Sequence, residues 1–339
     1  MSQELSNTVL SSEEFSSFKW KCFWREAFAL RGSITPHVIP NVLFVGLFAG
    51  LLCVASVIAE SHFGVTLALP LAPYEFIGAA LGLLLVLRTN AGYDRWWEAR
   101  KLWGGLVNQC RNLGITGLAY GPADEIWRGN FVRMIAAFPH AARLTLRNQT
   151  SSESVQNLVG PELARELVTS QHIPSTVAYK LGLLLREACE KHGMDRFYWL
   201  QADRERAQLI DHLGACERIL KTPLALAYSI KIRRFIASFM LTLPFALMHS
   251  LENIVLVPFI AMLVAYPLFS LDQLGVELQN PFNTEHLSHL PLDEICQTIE
   301  SNLLNLPGES SLVSSPDSHD WVSQMPKTLL GSGSGNGEA

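Results

Sequence analysis

One run constrains this chain more than any other. From Gly78 to Leu87 every residue is small or apolar, and from Arg88 to Arg100 charged and aromatic residues dominate, with no break signal between them. An apolar helix that runs on into a charged one is the pattern of a segment leaving a membrane for water. Glu75, Ala79, Leu83 and Leu87 recur every four residues, so they stack along one face of that helix.

Composition agrees with a membrane-embedded part and a water-exposed part. Of 339 residues, 49% are hydrophobic and 17% charged, and the mean hydropathy is +0.20. Soluble domains carry about a quarter charged residues. The shortfall here sits in four apolar stretches, expected to span the membrane at about 38–59, 73–87, 235–251 and 253–271. Pro244, Pro258 and Pro267 fall inside the last two, where proline kinks a membrane helix. Between and after them, 88–230 and 272–306 read as a helical cytosolic block. Its expected helices lie near 93–118, 123–147, 161–170, 175–191 and 195–220. No stretch alternates with period two, so the fold class expected is all-α. Residues 1–17 read as disordered, 18–31 as an amphipathic, interface-seeking helix, and 307–339 as a flexible tail.

Charge placement orients the spans. Lys19, Lys21, Arg25 and Arg31 precede the first, Arg88, Arg95, Arg100 and Lys101 follow the second, and Lys231, Arg233 and Arg234 precede the third. The loops at 60–74 and 249–253 contain neither Lys nor Arg. Basic residues stay on the cytoplasmic side, so both termini and the helical block are expected there. The opening residues do not form a signal-peptide pattern, and the plasma (inner) membrane or an equivalent one is the expected location.

Several function classes lack residues to carry them. A net charge of −5 does not suit a nucleic-acid partner. Cys22, Cys53, Cys110, Cys189, Cys216 and Cys296 form no Cys-x-x-Cys pair, and His140, His172, His192, His212, His286 and His289 are scattered. Neither a disulfide framework nor a metal site is expected, and no cofactor. No nucleophile and base fall at a spacing that implies catalysis, so an enzyme is not expected.

The stacked face remains. Such a stripe can simply meet lipid or another helix, but the apolar part Phe76–Leu87 is short for a lipid-facing span, and Gly78, Ala79, Ala80 and Gly82 allow close neighbours. Symmetric copies would set Leu83 and Leu87 in rings about an axis, a hydrophobic constriction. Glu75 is either a favourable acid in a first helical turn or a ring of carboxylates at the outer mouth. Arg88 marks the inner end, where a snorkelling anchor also fits. Asp94 and Glu98, with Arg95 and Arg100, are expected to form inter-helix ion pairs, and Trp96, Trp97 and Trp103 to anchor or pack. Cys216 to Pro223 reads as a helix end closed by proline.

The run Arg88–Gly104, with Arg95-Trp96-Trp97-Glu98 at its centre, resembles the bestrophin family of ion channels. So do Cys216-Glu217-Arg218-Ile219 with Thr222-Pro223 and Ala227-Tyr228, and Gly275-x-Glu277-x-x-x-Pro281-Phe282. The likeness is to the bacterial and plant-type branch and covers roughly 18–300. It implies a homopentamer around a central axial pore. The neck is lined by the second span at Ala79, Leu83 and Leu87, where bulkier residues are common in the family. It implies a second, cytosolic constriction near the start of the 194–212 helix, at Met194 or Phe197. It also implies passive conduction, of chloride or other anions first, with a cation (Na+/K+) channel of the same fold as the alternative. The acidic run that binds calcium in animal members is replaced by Asn283–His289. From other classes, a membrane scaffold or a small-molecule exporter is the rival. The expected partners are inorganic ions, the lipid bilayer and further copies of the chain.

Overall fold

The computed structural model describes residues 23–25, 27–30, 32–64, 69–150 and 153–306. The expected disordered N-terminus and flexible tail lie outside the described residues, as does half of the 18–31 segment. Among the described residues all regular structure is helical. In chain order the elements are α1 (Thr35–Phe63), α2 (Ala72–Tyr120), α3 (Glu125–Leu146), α4 (Glu153–Val159) and α5 (Pro161–Thr169). They continue with α6 (Ile173–His192), α7 (Arg196–Lys221), α8 (Leu226–Ser250), α9 (Leu256–Glu277) and α10 (Leu292–Leu304). The chain divides into two compact units, Met1–Asn90 with Leu226–Val276, and Ala91–Ala225 with Glu277–Ala339.

Three described helices are long and apolar enough to cross a membrane: α1, α2 and α9. α8 falls short of that description because Lys231, Arg233 and Arg234 occupy its first third; its uncharged part begins at Phe235. α9 starts later than the expected 253. The main-chain oxygen of Asn253 accepts the Leu256 amide at 3.1 Å, closing a turn before the helix. Pro258 therefore sits in the first turn of α9, where its missing N–H costs nothing, and not inside the span as expected.

The first unit is held by a cluster that includes Val45, Ala49, Cys53, Leu81, Leu85, Ile236, Phe239 and Ala261. α1 begins with proline in its first turn and ends at Gly64, whose φ of 63° is the left-handed stop glycine takes most readily. Within it, Gly46 lets α9 approach: a Cβ there would lie 2.5 Å from Met262 Sδ.

The second unit is built around α3, buried along nearly its whole circumference from Phe131 to Leu146. A helix apolar all round belongs at a centre, and α6, α7 and α10 pack on it. Its N-terminus is capped by Asp124, whose carboxylate accepts the Trp127 amide at 2.9 Å. Burying Phe131 and Phe138 completely contributes roughly 1.5–3 kcal/mol for each ring. The basic edge of α3 meets acids on α10. His140 bonds Glu300 at 2.8 Å, and Arg143 and Arg147 both donate to Asp293. α4 was not expected. Gly160, at φ 81°, divides it from α5, which starts as anticipated.

Candidate pore-lining helix

α2 is a single helix of 49 residues. Pro73 and Glu75 stand in its first turn, where proline needs no donor and a carboxylate meets the positive helix end. No later proline interrupts it.

In the first unit this helix has two contrasting faces. Leu81, Leu85 and Arg88 are buried. Glu75, Ala79, Leu83 and Leu87 are all exposed, Leu83 at 62% and Leu87 at 52%. The structure thus keeps the four stacked residues together and leaves them uncovered within one chain. Arg88 lies one position beyond Leu87 and is turned about a quarter of a circle off that face. Only 1% of its surface is exposed.

Arg88 donates to Asp272 on α9, and Arg233 Nε on α8 donates to the other oxygen of the same carboxylate at 3.1 Å. One acid thus ties three helices. Sequence reasoning did not single out Asp272. Its signal was available: it is the first acid after the apolar run Leu256–Leu271, and a lone acid at such a place implies a partner.

In the second unit the three quoted motifs meet. Arg95 donates to the carbonyls of Ile219 at 2.5 Å, Thr222 at 2.7 Å and Gln279 at 3.4 Å. It therefore satisfies the open carbonyl end of α7 rather than pairing with an acid. Glu98 pairs with Arg218 at 2.7 Å. Trp96 Nε1 donates to the Ser288 carbonyl at 2.7 Å, while Trp97 is exposed and stacks on Tyr93. The expected inter-helix ion pair is thus formed by Glu98, whereas Asp94 is exposed and Arg95 is directed to carbonyls.

Glu217 accepts from His172 at 2.6 Å and from Lys221 at 3.1 Å. His172 Nδ1 accepts the Ser175 amide and caps α6. Burial alone would raise the Glu217 carboxyl, but these hydrogen bonds and charges outweigh it and hold its pKa below the usual carboxylate value. Pro223 follows the end of α7, where a helix cannot continue. At the last residue of α9, Glu277 accepts the Leu287 amide at 2.8 Å, and beyond it the Pro281 carbonyl accepts the Leu290 amide at 2.7 Å. These bonds fold the segment that buries Phe282 completely. Cys216 is buried among the same elements, and burial pushes its thiol up to about 12. Met194 is buried at 6%, whereas Phe197 is 82% exposed.

The sequence model of the bacterial/fungal bestrophin proteins matches residues 17–305. The chain belongs to that family. Bestrophin relatives reinforce the assignment along most of its length. The voltage-dependent anion channel-forming protein of Ralstonia nicotianae is 32% identical over 86% of this chain and 94% of its own. The protein of the same description from Escherichia coli (strain K12), YneE, is 31% identical over 87% and 95%. A crystal structure of a bacterial bestrophin homologue from Klebsiella pneumoniae superposes with a TM-score of 0.72 at 28% identity, covering 79% of this chain and 97% of that one. The chain is accordingly an all-helical membrane protein of the bestrophin fold.

Proposed function

We propose that this bestrophin is an anion channel, assembled as a homopentamer around an axial pore, with chloride as its main ion. The exposure of Leu83 and Leu87 on a helix whose opposite face is packed carries the reading. A membrane-spanning helix with one side covered by its own chain and a regular apolar ladder left open suits rings of side chains about an axis. The names of the Ralstonia and Escherichia relatives support anions as the conducted species. Ala79, Leu83 and Leu87 then form the neck, with Ala79 widening its outer end. Arg88 marks its inner end by fixing α2 to Asp272, without itself facing the ions. α8 serves as a fourth span from Phe235 onward. The motif residues Arg95, Trp96, Trp97, Glu98, Glu217, Arg218, Pro223, Pro281 and Phe282 are structural, and Phe197 rather than Met194 forms the second constriction. The second unit and both termini face the cytoplasm, in keeping with the placement of Lys and Arg, and the membrane is the inner membrane of the cell.

Glu75 favours a second reading, a cation channel. It is exposed on the ladder face, one turn outside Ala79, where a ring of carboxylates would attract cations. Bilayer recording of the purified protein in asymmetric NaCl separates the two. The anion reading expects reversal near the chloride equilibrium potential, unmoved by Glu75→Gln. Reversal near the sodium potential, weakened in that variant, would establish the cation reading instead.

A further inference from the structure

In the first unit a groove of about 470 Å³ opens between α1, α8 and α9, within the usual size of a ligand pocket. Its polarity changes along its length on all three helices. On α1, His37 and Asn41 come first and Phe44 follows a turn deeper. On α8, Arg233 comes first, and Ala237 and Leu241 follow at four-residue steps. α9 runs the other way, from Phe269 to Asp272 and Gln273. The polar ends gather at one end of the groove and the apolar residues at the other. The floor is closed by buried Val45, Ile236 and Met240.

The polar end carries excess positive charge. Arg88 and Arg233 share the one carboxylate of Asp272. Arg88 is buried behind it, with Nε and Nη2 unpartnered. Arg233 lines the groove with its side chain 56% exposed. Its Nε is committed to Asp272, and no protein acceptor for its terminal nitrogens is found among the described residues. A guanidinium at the rim, a polar shelf beside it and an apolar trough beneath match the head and tail of a membrane amphiphile. Basic pockets between spanning helices on the cytoplasmic side hold anionic headgroups in this way.

We propose that this groove is a binding site for an anionic phospholipid, its phosphate at Arg233 beside His37 and Asn41, and an acyl chain along Phe44, Ala237 and Leu241. The site rests on the membrane placement of the first unit and requires nothing of conduction. The cytoplasmic leaflet follows from the orientation proposed above. A labelling experiment without current measurement therefore fails or succeeds separately from the channel reading.

The test uses the full chain in vesicles of phosphatidylcholine and phosphatidylglycerol, with a trace of phosphatidylglycerol carrying a photoactivatable acyl chain. Adducts are mapped by mass spectrometry. The site is supported if Phe44, Ala237 and Leu241 are labelled well above Ile39 and Leu43, which are exposed on another face of α1 at similar depth. Arg233→Gln, which leaves Asp272 its partner Arg88, should cut the preference for phosphatidylglycerol over an equivalent phosphatidylcholine probe about fivefold, as expected for one basic residue at an anionic surface. Ala237→Trp, filling the groove from an exposed position, should abolish labelling by both probes while the assembly elutes unchanged. Equal labelling of Ile39, Leu43 and Phe44 would overturn the proposal. So would a headgroup preference indifferent to Arg233→Gln, or loss of labelling on adding inorganic phosphate, which would make it a free-anion site. An unlabelled groove in an intact assembly would show it covered by a second copy, and would equally refute it.

Discussion

Asp272 answers two arginines with one carboxylate, and Arg88 has almost no exposed surface through which to recover hydration. Asp272→Asn keeps the size and removes the charge, leaving Arg88 buried without a counter-ion. Breaking one side of such a pair costs about 3–5 kcal/mol. Thermal unfolding of the detergent-solubilised protein should fall steeply in Asp272→Asn and much less in Asp272→Glu. Glu217 gives a pH prediction of known sign. Its folded pKa lies below the unfolded value, so its contribution is fully present above about pH 4.3 and is lost as pH falls through the folded value. Stability measured against pH should decline in that acid range, and Glu217→Gln should flatten that part of the decline. The residues of the ladder were legible from spacing alone, because four-residue steps are a property of the helix. The partner of Asp272 was not, because Arg88 lies 184 positions away and distance along the chain hides a pair. Asp94 and Arg95 misled for a related reason. A charged side chain suggested an ion pair with another helix, while the acceptors that Arg95 meets there are main-chain carbonyls that no residue name reveals.

Among the elements, α2 followed its sequence closely because nothing in it argues for a stop, and its core-facing glycines accept neighbours. Gly117 is the tightest: a Cβ there would lie 2.1 Å from Cε1 of the fully buried Phe131. Alanine would gain about 1 kcal/mol of helix propensity but overpack the joint of α2 and α3 at a cost of about 1–3 kcal/mol. Gly117→Ala should therefore lower the melting temperature. Gly214→Ala on α7, with nothing within 4 Å of its Cβ position, should raise it by the propensity gain. α4 escaped the reading because it has only seven residues, too few for a period to declare itself. The start of α9 was misplaced because Asn253 and Ile254 look like a span opening until the Asn253 turn is seen.

For the whole molecule, the apolar ladder on α2 is open in one chain, and the proposed assembly closes it. Leu83→Cys should form disulfides between copies under mild oxidation, visible as a dimer band on non-reducing gels. Val54→Cys, exposed on α1, should do so far less. Cys216 and Cys296, both held near 12 by burial, react slowly at neutral pH, and Cys22 and the half-buried Cys189 are replaced by serine in both variants so that the band reports the introduced thiol.

The joint at Arg95 has a consequence of another kind. Its three acceptors, at 219, 222 and 279, are all main-chain oxygens, and a main-chain oxygen is the same whichever side chain sits above it. The positions that receive Arg95 are free to drift, while Arg95 itself cannot change without losing the bond to each of them. Methods that infer proximity from paired substitutions would find an unvarying arginine with no partner, and would pass over the place where three distant stretches of this chain are fastened together.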